Sequence, residues 1–281
     1  ADSPLAPLVS YGGVLLLSFA TLLLASLLTK LRIRNLLVAL IAIFLSAFIP
    51  NSAKGTESIS LIAIQGNTPS VGLEFNSRAK AVFNLHRDAT RRLVKSNYDA
   101  IIWPENAIDI DPRNYPEVAD DIQQITQELQ TPLIAGVVLQ ENGEPANASV
   151  LYGIDGQVKS TYIKRYLTPF GEYMPLRSLA ELVSPYAKSV NDFKPGSNFV
   201  AHNISGEQIA PIICYEIIND GLVRESALKT GAFIVQTNSA TFADTAESAQ
   251  QLAITRIRAI EHSREILSVS TCLLYTSPSP R

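Results

Sequence analysis

Hydrophobic residues make up 47% of the 281-residue chain and charged residues only 17%. An ordinary soluble domain carries about 25% charged residues, so the composition disfavours a purely soluble protein. The formal net charge of −3 excludes the basic surface that nucleic-acid binding requires. Because the apolar excess lies near the N-terminus, the sequence predicts a membrane segment, residues 1–50, joined to a globular domain.

Two apolar runs in this segment predict transmembrane helices. Residues 9–29 are uncharged and reach the ~20 residues that a helix needs to cross a bilayer, and residues 33–50 form a second, shorter span. Lys30, Arg32 and Arg34 lie at their junction, and short basic loops stay in the cytoplasm. We therefore expect a multi-pass protein of the cell (inner) membrane whose globular domain lies on the extracytoplasmic face. A cleaved signal peptide followed by a core helix is the alternative, which the basic loop disfavours.

Strand and helix patterns alternate through the rest of the chain. A polar linker, residues 51–57, leads into a domain of residues 58–271. Its predicted elements are a strand in ISLIAIQGN, a helix within 74–97, a strand in YDAIIWPEN, a helix over 117–129, a strand in TPLIAGVVL, a hairpin of ASVLYGI and QVKSTYIK, a strand over 208–213, a helix near 219–229, a strand in AFIVQTN, a helix over 247–264 and a strand in ILSVS. This order predicts an α/β layered domain with a mixed sheet.

A long irregular stretch, residues 166–195, interrupts this alternation and is rich in proline, glycine and aromatic residues. Loops of that length often carry function. We expect a lid that faces the membrane and dips its large apolar side chains into lipid: Tyr166, Phe170, Tyr173, Met174 and Leu176.

Three predicted strand ends carry groups suited to acyl-transfer chemistry. Cys214 follows APII, Glu105 follows IIWP and Lys164 follows STYI. A cysteine nucleophile needs a base, and a carboxyl group buried at a strand end is suited to take up a proton near neutral pH. A lysine there could stabilise the oxyanion on the attacked carbonyl. Such a site needs no metal ion and no cofactor.

Each of these residues also has a plain structural interpretation. A lone cysteine often packs as a small apolar group, a glutamate after proline often caps a helix, and lysines usually lie on the surface. Of the three histidines, His86 and His262 fall in predicted helices and His202 in the polar segment AHNISGE, so a Cys–His pair has no support. Spacing alone leaves the catalytic and the structural interpretation equally open.

Three segments, IIWPENA, YIKRYLTPFGEYMP and PIICYEI, resemble in the same order the signature segments of the carbon–nitrogen hydrolase (nitrilase) superfamily. The segments LTPFGEYMPLR, ICYEII, VQTNSATF and AITRIRAIEHSRE, with the two apolar spans, are similar to its apolipoprotein N-acyltransferase branch, in particular to actinobacterial members. The resemblance covers about residues 3–270 and implies an αββα sandwich of the nitrilase type, preceded by transmembrane helices.

The resemblance also implies roles for single residues. Glu105 would be the general base, Lys164 the oxyanion stabiliser and Cys214 the nucleophile. Supporting roles would fall to a second carboxylate and to the two residues after the cysteine, namely Glu172, Tyr215 and Glu216. Asn238, after the strand FIVQT, is a candidate pocket residue, and a turn role is equally open for it.

The implied reaction has two steps. The Cys214 thiolate would take a fatty acyl chain from a phospholipid as a thioester, and the free α-amine of the diacylglyceryl cysteine of an apolipoprotein would accept it. Two alternatives remain. One is a membrane-tethered carbon–nitrogen hydrolase that uses the same residues on a small amide, with water as acceptor, and the other is an inactive membrane-anchored binding domain.

Both ends of the chain depart from the family pattern. After SVST the family would continue with a turn, a hairpin and a last membrane helix, whereas residues 272–281 here are CLLYTSPSPR. We expect this tail to be non-native and Cys272 to have no role. Since Ala1 begins a sequence that resembles the middle of a loop, we expect truncation at both ends.

Overall fold

The computed structural model describes residues 3–29, 32–46, 48, 58–69, 80–93, 96–183, 191–242 and 245–271. The predicted linker, Cys272 and the predicted tail lie outside these residues. The domain boundaries given above therefore stay predictions.

Two β-sheets form the centre of the domain. The first has five strands in the order β1 (Leu61–Ala63), β2 (Ala100–Ile102), β3 (Leu133–Glu141), β4 (Glu144–Tyr152) and β5 (Val158–Ile163). Its first three strands are parallel, whereas β3, β4 and β5 form an antiparallel meander. The second has four strands, of which the last three are parallel: β6 (His202–Ile204), β7 (Glu207–Ile213), β8 (Ala232–Thr237) and β9 (Glu265–Ser270).

Helices cover the outer face of each sheet, and the alternation of side chains along the strands fixes this layering. In β2, Ile101 packs towards α3 (Ala81–Thr90) and α4 (Pro116–Leu129), whereas Ile102 packs in the cluster that joins the two sheets. The outer face of the second sheet packs against α6 (Asp220–Lys229) and α7 (Glu247–His262). The predicted αββα sandwich is thus confirmed.

Two apolar helices precede the sandwich. α1 (Val9–Thr29) and α2 (Ile33–Ser46) pack against each other as an antiparallel hairpin, with the Ser46 hydroxyl donating to the Pro4 carbonyl at 2.8 Å. The helical segment Ala6–Thr29 is long and apolar enough to cross a membrane and is almost entirely unburied. The first predicted span therefore has a matching helix, while α2 is shorter.

A break that the sequence analysis does not predict divides α1. Gly12 and Gly13 leave the helical conformation, and Gly13 has φ +65° and ψ −166°, which only glycine adopts readily. Before this break, Ala6 and Val9 are buried, and this part of the chain packs against α7 of the sandwich. The break thus directs the start of the hairpin onto the globular domain.

The sequence analysis also misses two features of the sheets. His202, assigned to a polar segment, lies in β6 and is fully buried between the hydroxyl oxygens of Ser149 (3.0 Å) and Ser160 (2.7 Å). Burial lowers the pKa of His202 to about 3, so the ring stays neutral.

The start of β4 is the second feature. β4 begins at Glu144 because Asn142 and Gly143, both with positive φ, form a hairpin turn. Asn-Gly is a known hairpin signal.

Gly136 in β3 allows the chain after β2 to approach closely. A Cβ atom at this position would lie 2.3 Å from the Pro104 carbonyl oxygen and 2.5 Å from the Glu105 Cα. Since real Cβ atoms do not come so near to backbone, only glycine fits here without displacing Glu105.

We expect Gly136→Ala to lower the free energy of unfolding by about 1–3 kcal/mol, the usual cost of overpacking. The measurement is thermal unfolding in detergent. Gly231→Ala is the matched control, because a Cβ there would meet only the Glu207 carboxylate at 3.7 Å. Equal unfolding temperatures for the two variants would contradict the close approach.

Candidate active site

The carboxyl ends of β2, β5 and β7 bring the three predicted catalytic residues together. Lys164 is fully buried, and its Nζ lies 3.3 Å from Glu105 Oε1. Only 5% of Glu105 and 9% of Cys214 are exposed. Lys164 and Glu105 both act electrostatically on the Cys214 thiol, whose pKa Glu105 raises and Lys164 lowers.

Glu172 completes this group from the loop after β5, residues 164–176, which we call the lysine loop. Its Oε2 lies 2.7 Å from Lys164 Nζ and accepts a hydrogen bond from the Thr168 amide at 2.7 Å. The Thr168 hydroxyl accepts a further hydrogen bond from Lys164. Glu105, Lys164, Glu172 and Cys214 together are called the charged cluster below.

Asn147 in β4 is a member of the site that the sequence analysis missed. Its side-chain amide nitrogen donates to Glu105 Oε1 at 2.7 Å and to Glu172 Oε1 at 2.8 Å. An asparagine within a buried strand is unusual, and that signal could have found it. Asn147 holds two like charges at a fixed separation on either side of Lys164.

Asn238, the candidate pocket residue, contacts the charged cluster through its backbone. Its amide donates to Glu105 Oε2 at 2.7 Å, while its side-chain oxygen accepts from the Ala240 amide and the Thr271 hydroxyl. Asn238 therefore combines the turn role and the proximity to the site that the sequence left as alternatives.

Burial and charge set the protonation of the cluster. Burial alone lowers the pKa of Lys164, but Glu105 and Glu172 outweigh it and raise that pKa above its usual range. Burial raises the pKa of Glu172, yet Lys164 and the hydrogen bonds from Asn147 and Thr168 hold it below its ordinary value. Glu172 is therefore ionised and Lys164 charged at neutral pH.

The Cys214 thiol is protonated in the resting site. Burial raises its pKa, Glu105 raises it further, and the opposing effect of Lys164 is smaller. Transfer of the thiol proton to Glu105 would leave the net charge of the cluster unchanged, whereas loss of the proton to solvent would add a further buried negative charge. The arrangement therefore favours a nucleophile that forms together with a protonated Glu105.

A strained turn places Cys214 at the end of β7. The residue has φ +49° and begins the 3₁₀ helix Cys214–Ile218, which we call the cysteine loop. For a residue other than glycine this conformation costs roughly 1–3 kcal/mol and persists only where the surroundings impose it. It directs the thiol away from the regular strand positions.

Glu216 ties the cysteine loop to the lysine loop. Its fully buried carboxylate accepts hydrogen bonds from the Ile213 amide (2.9 Å), the Tyr162 hydroxyl (2.7 Å) and the Arg165 amide (2.7 Å). Burial raises the pKa of Glu216. These contacts join the cysteine loop to the lysine loop, and the supporting role expected for Glu216 stays a prediction.

Tyr215 has a different setting. It is 37% exposed and lines a groove of about 530 Å³. The other lining residues come mostly from the lysine loop and the cysteine loop: Arg165, Tyr166, Leu167, Pro169, Tyr173, Pro195, Ile218 and Asn219. A larger cavity of about 640 Å³ lies elsewhere and contains no residue of the charged cluster. None of the four members of the charged cluster lines the groove either, but its lining residues Arg165 and Tyr215 directly follow Lys164 and Cys214 in the chain, so the groove lies beside the site.

The lysine loop is largely apolar at its surface. Tyr166, Phe170 and Leu176 are 45%, 60% and 79% exposed, as the lid prediction requires. The prediction is wrong for Met174, which is 7% exposed and packs inward against Ala180 of α5 (Arg177–Val183). Its backbone amide donates to Asp192 Oδ1 at 3.0 Å.

Comparisons with known proteins agree with this architecture. The family model described as carbon-nitrogen hydrolase matches residues 61–266. An apolipoprotein N-acyltransferase of Mycolicibacterium smegmatis is 35% identical over 229 residues, which cover 76% of this chain and 38% of the relative. Another, of Pseudomonas paraeruginosa, is 30% identical over 280 residues, which cover 94% and 54%. The chain thus spans about half, or less, of the length of these curated relatives.

Solved structures show the same fold. An amidase of Nesterenkonia sp. superposes with a TM-score of 0.57 at 16% identity, over 80% of this chain and 78% of the amidase. A variant of the amidase of Nesterenkonia AN1, described as belonging to the nitrilase superfamily, gives a TM-score of 0.58 at 14% identity, over 80% and 81%. At these identities the likeness concerns the fold alone.

We expect Glu172→Gln to destabilise the fold in a pH-dependent way. The pKa of Glu172 is lower in the folded chain than the value of about 4.3 in an unfolded one, so its ionised form stabilises the fold above that pH. The substitution should cost about 3–5 kcal/mol at pH 7, the usual cost of removing one partner of a buried charge pair. The difference should shrink as the pH falls through the folded-state pKa.

The measurement is thermal unfolding in detergent across this pH range. Glu181→Gln is the control, because Glu181 is a partly exposed glutamate whose partner, Arg177, lies on the surface of α5. Its effect should be small at every pH. An unchanged unfolding temperature of Glu172→Gln at pH 7 would show that the pair with Lys164 contributes nothing.

Proposed function

Because the chain belongs to the carbon–nitrogen hydrolase family, we propose that it is an acyltransferase that works through a thioester on Cys214. The donor is a phospholipid, and the acceptor is the N-terminal amine of the diacylglyceryl cysteine of an apolipoprotein. The observation that carries this proposal is the assembled charged cluster on a chain that begins with an apolar hairpin. The names of the relatives support the choice of donor and acceptor.

In the first half-reaction the thiol attacks the ester carbonyl of the phospholipid. Glu105 takes the proton as the Sγ–C bond forms, so the net charge of the cluster is preserved. Lys164 stabilises the negative charge that develops on the carbonyl oxygen. The ester C–O bond then breaks, and the proton on Glu105 passes to the leaving alkoxide, which departs as lysophospholipid.

The second half-reaction uses the same groups in reverse. The amine attacks the thioester carbonyl, Glu105 takes a proton from the nitrogen, and Lys164 again faces the developing oxyanion. The C–S bond breaks as the amide forms, and the sulfur recovers a proton from Glu105. Glu172 and Asn147 act as positioning residues, since they contact Lys164 and Glu105 rather than the reacting atoms.

The groove beside Tyr215 is the proposed entrance for the acyl chain. Its walls come from the lysine loop and the cysteine loop, and its exposed surface is mainly apolar. The apolar side chains of the lysine loop border it and would rest in the outer part of the bilayer. A lipid donor could thus reach Cys214 without leaving the membrane.

The orientation of the α1–α2 hairpin favours a catalytic site on the extracytoplasmic face of the membrane. The start of α1 packs against α7, whereas Arg32 and Arg34 lie at the other end of the hairpin. A basic loop favours the cytoplasmic side. The globular domain would therefore face the opposite compartment of the cell membrane, where lipoproteins are exposed.

A carbon–nitrogen hydrolase that acts on a small amide is the second candidate. The charged cluster could activate water as well as an amine for attack on the thioester, and solved amidases share the fold. The apolar hairpin and groove favour a lipid substrate over a small soluble one. An inactive binding domain is disfavoured, because a buried lysine and two buried carboxylates are costly to keep without a use.

The test is the intact mass of the chain after incubation with phospholipid in nanodiscs. We expect a fatty-acyl adduct on the chain, no adduct on Cys214→Ala, and a rate of adduct formation at least about 100-fold lower for Glu105→Gln. A diacylated peptide with a free N-terminal amine should release the adduct as an amide.

The same peptide with an acetylated N-terminus is the matched control and should leave the thioester intact. Adduct formation without release by the free amine would overturn the proposed acceptor. Absence of any adduct, together with release of ammonia from small amides, would establish the hydrolase instead.

A further inference from the structure

Arg258 of α7 binds the far end of the cysteine loop. The side chain is 5% exposed, and its guanidinium donates to the carbonyl oxygens of Ile217 (3.1 Å) and Ile218 (3.0 Å). It also pairs with Asp220, the first residue of α6. The last carbonyls of a helix have no partner within it, so Arg258 supplies the donors that the cysteine loop lacks.

The same guanidinium is connected to the membrane hairpin. It pairs with Glu261 one turn later on α7, and Glu261 lies directly against the break in α1. A Cβ atom on Gly13 would be 2.7 Å from Glu261 Oε1. A continuous path of contacts therefore runs from Gly13 through Glu261 and Arg258 to the carbonyls behind Cys214.

We propose that Arg258 is a positioning residue that holds Cys214 in its reactive conformation and couples this conformation to the packing of α1 against α7. The inference rests on the proposed role of Cys214 as the nucleophile. Cys214 has a strained φ of +49°, and such a conformation relaxes unless its flanks are held. Glu216 holds the front of the cysteine loop, and Arg258 holds its end.

Arg264 provides a matched comparison within the same region. Its guanidinium also donates to two backbone carbonyls, those of Thr230 (3.0 Å) and Ala227 (2.9 Å) at the end of α6. Both arginines thus fasten a helix end through paired carbonyl contacts. Only Arg258 acts on the loop that carries Cys214.

The experiment measures the rate of Cys214 alkylation by iodoacetamide, by intact mass, in a Cys272→Ser background that leaves one thiol. We expect Arg258→Lys to slow alkylation about tenfold or more, because a lysine cannot serve both carbonyls and small displacements of a reacting group are costly. Arg264→Lys should change the rate less than twofold. The pH profile of alkylation should shift for Arg258→Lys only.

Thermal unfolding separates positioning from general stability. Both variants lose paired carbonyl contacts and should lower the unfolding temperature, Arg258→Lys by at least as much as Arg264→Lys because Arg258 also pairs with Asp220 and Glu261. Equal alkylation rates for the two would overturn the role of Arg258 while leaving the proposed acyltransferase intact. A chain without substitution at these arginines that forms no fatty-acyl adduct with phospholipid would overturn both.

A second pair of variants tests the connection to the membrane hairpin. Gly13→Ala and Gly143→Ala both place alanine at a positive φ, but a Cβ on Gly143 meets nothing within 4 Å. We expect slower alkylation for Gly13→Ala and an unchanged rate for Gly143→Ala. The double variant Gly13→Ala/Arg258→Lys should be no slower than Arg258→Lys alone, since both act through one path. Additive effects would contradict the coupling.

Discussion

A buried ammonium group between two carboxylates is the constraint on which the rest of this structure depends. Lys164 is fully buried, and its charge is tolerable only because Glu105 and Glu172 flank it. Removing one partner of a buried charge pair commonly costs about 3–5 kcal/mol. The chain after β2 and the loop after β5 must therefore converge, and Asn147 keeps their carboxylates apart.

Backbone features of the two sheets serve this convergence. Gly136 has no side chain and so leaves room for the segment that carries Glu105, and Glu216 joins the lysine loop to the cysteine loop. Arg258 then extends the same connected structure to α7 and the hairpin. The site is thus part of the packing between layers, which is why its charged members are among the least exposed residues of the described chain.

The sequence predicts the strands because these follow from local patterns, whereas the convergence of the three residues follows only from the family resemblance. Apolar runs that lead into Glu105, Lys164 and Cys214 predict strand ends, and the family resemblance implies that these three residues lie in one site. Asn147 and Arg258 escape such patterns, since their roles depend on carboxylates and carbonyls distant in the chain. The break at Gly12 and Gly13 is hidden for a similar reason, because uniform hydrophobicity predicts a continuous helix.

The protonated state of the thiol has a consequence for its survival between turnovers. Oxidation and disulfide exchange require the thiolate, and burial together with Glu105 raises the pKa of Cys214 well above its usual range. With 9% of its surface exposed, the sulfur also offers little access to peroxide or to another thiol. A buried, protonated thiol of this kind outlasts an exposed, readily ionised one wherever oxidants or disulfides are present.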